Sequence, residues 1–239
     1  MGVITFNSLS SQPLGIQVEH PPEYETPERN YDVQSIPGRN GDVVQDTGSY
    51  KNVPRKYAIA IGSLEKEYAV MANTISQWLH SGSGYCRLED SYEPDYFRMA
   101  MYSEGNSLSN LCQHAGRETI SFNCKPQRFL KTGEDVIKPK TNTAITNPTD
   151  QIALPLIRVK GTGSGTLRVG NYTAMFTGIQ GYIDLDSDIQ DAYNLDTNMN
   201  EFVTLLDKLY PKLLPGDSCL ITFSGGITSV EVTPRWWTI

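Results

Sequence analysis

Histidine, cysteine and long apolar runs are all scarce in this chain of 239 residues. The three histidines, His20, His80 and His114, sit in no Gly-x-Ser-x-Gly elbow, no His-Glu-x-x-His helix and no recognisable metal-ligand spacing. Histidine-based catalysis is therefore not expected. The four cysteines, Cys86, Cys112, Cys124 and Cys219, are too sparse and irregular for a disulfide framework or a zinc cluster. They read as reduced thiols in a chain made in a cytosol. No apolar stretch approaches the ~20 residues that span a bilayer, and the longest, near 57–61 and 152–157, are strand-sized. The opening residues lack the basic region, apolar stretch and cleavage site of a secretory signal, so none is expected. Basic residues are outnumbered too: 20 Lys and Arg against 27 Asp and Glu give a net charge of −7, the wrong sign for a duplex-DNA binder. No specific nucleic-acid binding and no membrane partner are expected.

Glycine and proline are abundant, at 20 and 14, and only 20% of residues are charged. The balance disfavours disorder and predicts many turns, hence a mainly β protein with a few helices. After Ile4-Thr5-Phe6, residues 19–40 carry Pro21, Pro22, Pro27 and Pro37 among charges. Such a stretch can be neither a central strand nor a helix interior, and its expected form is an extended arm or a long loop. Tyr57, Ile59 and Ile61 alternate as in a strand. One helix follows, with Leu64, Tyr68, Met71, Ile75, Trp78 and Leu79 at three- and four-residue spacing, Ser63 as N-cap and Gly82 at its close. A hairpin is expected across Glu93-Pro94-Asp95, joining strands near 85–88 and 96–102. In the next strand Ile120, Phe122 and Cys124 face one way until Pro126 stops the ladder, so Cys124 reads as a buried strand residue rather than a reactive thiol.

Residues 131–150 shift to Lys, Thr, Asn, Pro and Gly, which marks a linker and divides the chain into domains at 1–138 and 139–239. Beyond it lie six short strand candidates, at 154–159, 167–169, 172–176, 182–185, 220–223 and 229–232. Their spacing is the pattern of a β-sandwich. Met199, Phe202, Leu205, Leu206 and Leu209 fall at helical spacing and predict a short helix over 198–209, ended by Pro211.

Three features are weighed as sites. Gly161-Thr162-Gly163-Ser164-Gly165 resembles a phosphate loop, but strand-like sequence follows it and no Lys-Ser or Lys-Thr pair completes it, so a hairpin turn is expected. Asp184, Asp186, Asp188 and Asp191 have metal-like spacing, yet an EF-hand loop starting at Asp184 would need Gly and Glu where Ile189 and Leu195 stand. A solvated turn is expected there. Paired glycosidase carboxylates need only spatial proximity, and nothing singles out a pair. Trp236-Trp237 would seal the sandwich or face a partner, with at least one of the two in packing. Catalytic, cofactor-binding and metal-ligating residues are accordingly expected to be none.

The order of motifs goes further. Ile4-Thr5-Phe6-Asn7-Ser8 with Ser10-Ser11 and Leu14-Gly15-Ile16, then Ile36-Pro37-Gly38-Arg39-Asn40-Gly41-Asp42, Gly48-Ser49-Tyr50, Trp78-Leu79, the 88–96 stretch and Ile120-Ser121-Phe122-Asn123-Cys124-Lys125-Pro126 resemble the amino-terminal domain of the phage distal tail protein (Dit) family. Asn147-Pro148, residues 155–161, Ile183-Asp184 and Leu213-Leu214-Pro215-Gly216-Asp217 are similar to its second half. The 198–209 stretch looks like an insertion, and Asp217-Ser218 stands where the family often has Asn after Gly.

The resemblance implies a virion structural protein, not an enzyme: a split-barrel-like amino-terminal domain with one helix that forms a hexameric ring, and a galectin-like β-sandwich. A homo-hexamer would sit at the distal end of a long non-contractile (siphophage) tail, assembled in the host cytoplasm. Its partners would be the tail tube protein and the tail-associated lysin or tail fibre protein, and it can serve as a platform for receptor-binding proteins during host adsorption. Net negative charge suits a ring through which DNA passes without sticking. Residues 19–40 would then lie on the neighbouring subunit. A carbohydrate-binding or receptor-binding module of a phage baseplate is the alternative, and a glycoside hydrolase or tail peptidase is a third class.

Overall fold

Alternating apolar residues build the first sheet around two long central strands. The computed structural model describes residues 2–62, 68–102, 109–112 and 115–239, and it divides into two compact units, one ending at Arg128 and one running Phe129–Thr238. The first unit holds β1 (Ile4–Phe6), β2 (Leu9–Ser10), β3 (Ile16–Val18), β4 (Arg29–Gln34), β5 (Val43–Tyr50), β6 (Val53–Gly62), α1 (Tyr68–Leu79), β7 (Cys86–Asp90), β8 (Tyr96–Met101), β9 (Ser109–Cys112) and β10 (Ala115–Leu130). Strands run in the order β2-β1-β7-β8-β10-β6-β3, with β9 beside β10. A bridge from Gly2 to Val18 links the segment before β1 to β3, the far edge, and so curls the sheet towards closure.

Helix α1 fills the curl. Met71, Ile75, Trp78 and Leu79 are buried against Ile4, Phe6, Tyr57, Ile59, Ile61, Ile120 and Phe122, as the helical spacing predicts. Phe6 packs edge-on to Trp78, ring centroids 6.4 Å apart, and tilted on Phe122 at 4.9 Å. Ser63 and Leu64 lie outside the described residues. The expected hairpin is present: β7 pairs antiparallel with β8, Leu88 opposite Arg98. Pro126 does not end its strand, because the last β10–β6 pair is Cys124 with Val53. Beyond that pair the missing N–H costs no ladder bond on the β6 side.

The second unit holds β11 (Thr143–Thr146), β12 (Leu156–Val169), β13 (Tyr172–Asp186), β14 (Asp191–Asn194), β15 (Thr197–Asn198), β16 (Val203–Leu205), β17 (Ser218–Thr233) and β18 (Trp237–Thr238). Its sheet order is β11-β17-β12-β13-β14-β15, with β16 paired to β13. The six short strands expected here are halves of β12, β13 and β17. Bulges explain why the pattern looked broken: pairing of β13 with β12 shifts between Gly163 and Gly165, and pairing of β17 with β12 shifts between Lys160 and Gly165. An extra residue flips the side-chain phase of a strand. Buried residues of β13 accordingly change from Ala174 and Phe176 to Ile179, Ile183 and Leu185, and those of β17 from Ile221 and Ile227 to Val230 and Val232. All of them face one core, shared with Ile157, Val159, Leu167 and Val169.

Residues 161–165 are therefore neither a hairpin turn nor a phosphate loop but the middle of β12. The expected linker also folds into this unit: Ile137 bridges Val232 and β11 pairs with β17. The expected helix over 198–209 is corrected. Residues Asn200–Phe202 form one 3-10 turn and β16 follows, pairing Leu205 with Ala174. Met199, Phe202 and Leu205 reach the core while Leu206 and Leu209 stay exposed, so apolar spacing mimicked a helix where the chain makes a turn and an edge strand.

The strands bend where glycines let backbones touch. A Cβ on Gly226 would lie 1.9 Å from the Thr162 carbonyl oxygen, and one on Gly161 2.2 Å from that of Gly226. Gly181, at φ +83°, has nothing within 4 Å of such an atom. Gly226→Ala should cost about 3 kcal/mol or more through backbone displacement, and Gly181→Ala about 1 kcal/mol of left-handed strain. Urea melts of the two variants check that order.

Candidate assembly surface

The acidic run that could have held a cation is consumed by arginines. Asp184 accepts two 2.7 Å hydrogen bonds from Arg158 Nε and Nη2, and Asp186 accepts 2.7 and 2.8 Å bonds from Arg235. Both carboxylates are buried, at 3% and 4% exposure, which corrects the solvated-turn expectation. Asp191 accepts from Asn198 and Asn200, and only Asp188 of the four is exposed. Among the described residues no group of three or more His, Cys, Asp or Glu side chains is placed to hold a metal ion. Arg158 also stacks 4.3 Å above Tyr182. Burial alone would raise Asp186, but the hydrogen bonds and charge of Arg235, with the Asp188 and Ile189 amides, hold it below the ordinary aspartate range.

A second ionic knot locks the β7–β8 turn. Arg55, 3% exposed, donates to Asp90 at 3.0 Å and Glu93 at 2.9 Å, and the Tyr57 hydroxyl donates to Asp90 at 2.6 Å. The other Asp90 oxygen accepts the Tyr92 and Glu93 amides. Arg98 and Arg128 reach Glu93 from β8 and β10. Burial pushes the Cys124 thiol up to about 12, in keeping with its place inside the strand. His80 sits at the end of α1, 2.8 Å from the Ser76 carbonyl, and His20 lines a small pocket with Pro21, Pro22, Glu23 and Lys56. His114 lies outside the described residues. Trp236 is buried in the core, and the Trp237 indole donates to the Ile152 carbonyl at 2.9 Å.

Among the described residues, the β4–β5 pair stands apart from the two larger sheets. These strands pair only with each other, as a two-stranded ribbon. Pairing sets Tyr31 opposite Asp46 and Val33 opposite Val44 on one face, and Asp32 opposite Gln45 on the other. Tyr31, Val33 and Val44 are 53%, 55% and 57% exposed, and Ile36 near the tip is 44% exposed. At the base, Arg29 bonds Asp46 and the Tyr50 hydroxyl, Thr47 donates to the Asn30 carbonyl, and Lys51 meets Glu28 at 2.9 Å. Ion pairs this exposed are screened by water and add little to stability. Residues 19–40 were expected as an arm or long loop; the structure makes residues 29–34 of that stretch one strand of a hairpin, after an irregular segment over 19–28. Its signal was there: Tyr31 and Val33 alternate on one side of Pro37-Gly38-Arg39-Asn40-Gly41, with Val43-Val44 on the other.

Also open is a groove of about 310 Å³ lined by Leu9, Pro13, Leu14, Thr74, Gln77 and Trp78. The Trp78 indole donates to the Leu9 carbonyl at 3.0 Å, tying β2 to α1 across its floor. No helix among the described residues is long and apolar enough to cross a membrane.

No family model matches the chain, and no curated protein matches its sequence. Among solved structures, the crystal structure of SPP1 Dit (gp 19.1) superposes over 100% of both chains with a TM-score of 0.77 at 12% identity. This chain shares the fold of SPP1 Dit. That protein is described as a paradigm of the hub adsorption apparatus in phages that infect Gram-positive bacteria. At this identity the likeness with SPP1 Dit lies in the fold, which is mainly β with one helix among the described residues.

Asp186 gives the second unit a definite acid response. Its folded pKa is depressed, so its contribution is full above the unfolded value near 3.9 and fades as pH falls through the folded value. Asp186→Asn should cost about 2–4 kcal/mol at pH 7, because it strands a half-buried guanidinium. At a pH low enough to protonate the wild-type carboxyl, below its depressed folded pKa, the cost should shrink towards zero. Urea melts at both pH values decide it, and an equal cost at each would mean that the charge of Asp186 contributes nothing.

Proposed function

We propose that this chain is a structural subunit of a phage tail tip, a distal tail protein that closes into a six-membered ring. The amino-terminal unit forms the ring, and the carboxyl-terminal unit is a galectin-like sandwich that carries contacts to other tail components. In that place it joins the tail tube to the tail-associated lysin or fibre protein, and gives receptor-binding proteins a platform. The observation that carries the reading is the full-length likeness to SPP1 Dit, a hub of the adsorption apparatus. The order of short motifs along the sequence supports it independently.

Physical features agree with assembly rather than chemistry. The buried carboxylates Asp90, Asp184 and Asp186 are each paired with an arginine. The ribbon β4–β5 exposes an apolar face that a lone subunit does not cover. We infer that it lies on the neighbouring subunit.

Native mass spectrometry of the full chain should give a hexamer, with six-fold rings in negative stain. Deleting most of the arm should reduce the species seen by light scattering to smaller forms. A chain that stays monomeric at ~100 µM, or an arm deletion that remains hexameric, would overturn the respective part of the proposal.

A further inference from the structure

We infer that Asn40-Gly41, in the connection between β4 and β5, is a self-modifying site: in water the chain converts Asn40 to aspartate and isoaspartate, with loss of ammonia. The inference stands apart from the subunit reading above, because it needs only the atoms of the tip and solvent.

An asparagine followed by glycine is chemically vulnerable. The side-chain carbonyl carbon, Cγ, can be reached by the next backbone nitrogen, and a five-membered ring closes if that nitrogen swings onto it. Glycine has no Cβ to shield the nitrogen and meets little torsional resistance. Asn40-Gly41 is the one Asn-Gly pair in the sequence, and there is no Asp-Gly pair.

The structure leaves this pair open. The β4–β5 ladder ends at Gln34 opposite Val43, so residues 35–42 form the connection. Within it the Arg39 N–H donates to the Ile36 carbonyl at 3.1 Å, which closes a turn just before Asn40. Asn40 and Gly41 are both exposed, and no hydrogen bond among the described residues engages the Asn40 side chain or the Gly41 N–H. Gly41 sits at φ +81° with nothing within 4 Å of where a Cβ would stand. Other asparagines are held or blocked. The side chains of Asn30, Asn52, Asn194 and Asn200 donate to Ser49, Tyr85, Tyr182 and Asp191. Asn147 precedes Pro148, whose nitrogen carries no hydrogen.

The reaction balances with water alone. The Gly41 nitrogen gives its proton to solvent base and attacks Asn40 Cγ. The N–Cγ bond forms, the Cγ–Nδ2 bond breaks, and ammonia leaves with a proton from solvent. Water then opens the cyclic imide. Cleavage between nitrogen and Cγ gives aspartate, whereas cleavage between nitrogen and the main-chain carbonyl carbon gives isoaspartate, whose backbone runs through Cβ and Cγ. Either product replaces a neutral amide with a carboxylate. Residues 35–42 carry one basic and one acidic side chain, Arg39 and Asp42, so each event turns a neutral tip into an acidic one. Because the tip lies outside the ladder, the extra backbone methylene of isoaspartate displaces no paired residue.

The test incubates the full chain for some weeks in mildly alkaline buffer, then digests it and follows each asparagine-containing peptide by mass and chromatography. The peptide containing residues 40–41 is expected to gain the mass difference between asparagine and aspartate and to split into two isomers, one of them labelled by an isoaspartyl methyltransferase. In Gly41→Ala, where a Cβ hinders the nitrogen, the gain should be about ten-fold slower or less. Asn40→Gln, which would have to close a six-membered ring, should show none. Aged and fresh protein should melt within a few degrees of each other. No mass gain at 40–41, or an equal gain in Gly41→Ala or Asn40→Gln, overturns the site. A large loss of melting temperature in the aged chain overturns the claim that the tip absorbs the product.

Discussion

A two-stranded β ribbon has no second layer, so it cannot bury its own apolar face. Isolated hairpins are marginal in water for this reason, and β4–β5 has little else to hold it: a few exposed ion pairs at its base and a register that shifts between Arg29 and Tyr31. The larger sheet of the first unit curls round α1, its core is closed, and the β7–β8 turn is knotted by Arg55, Asp90 and Glu93. Among the described residues of the first unit, Tyr31, Val33 and Val44 of the ribbon stay more than half exposed, as do Tyr24 and Val70 elsewhere.

The second unit solves a different problem. Three long strands must bend to wrap one core, and a pleated strand bends only where its ladder is interrupted. Gly161, Gly165, Gly225 and Gly226 supply the interruption, since their backbones approach too closely for any side chain. Bulges beside them reset the side-chain phase so that both halves of β13 and β17 still point inward. Once Asp184 and Asp186 are clamped by Arg158 and Arg235, the ends of these strands carry structural charge.

How far the sequence could be read follows from the same physics. Uninterrupted periodicity was legible: the helix of Met71, Ile75 and Trp78, the β6 alternation of Tyr57, Ile59 and Ile61, and the β7–β8 hairpin. Interrupted periodicity was not. Gly161 to Gly165 reads as a turn because glycine marks both turns and bulges, and only close approach of another strand separates the two. The run from Met199 to Leu209 reads as a helix because three- and four-residue spacing also arises when a turn and an edge strand each bury alternate residues. Asp184 and Asp186 read as solvated because their partners, Arg158 and Arg235, are 26 and 49 residues away. The arm was legible as something outside the core, from its prolines and charge. Its hairpin register and its amphipathic face needed the pairing of Val33 with Val44.

The central claim is that the ribbon is covered by another subunit. Hydrogen–deuterium exchange of the full chain, in its assembled state and after dilution to monomer, tests it most directly. The account predicts that amides of β4 and β5 exchange slowly in the assembly and quickly in the monomer, while those of β6 and β10 stay protected in both. Ribbon amides that exchange equally fast in both states, or that are already protected in the monomer, would contradict it.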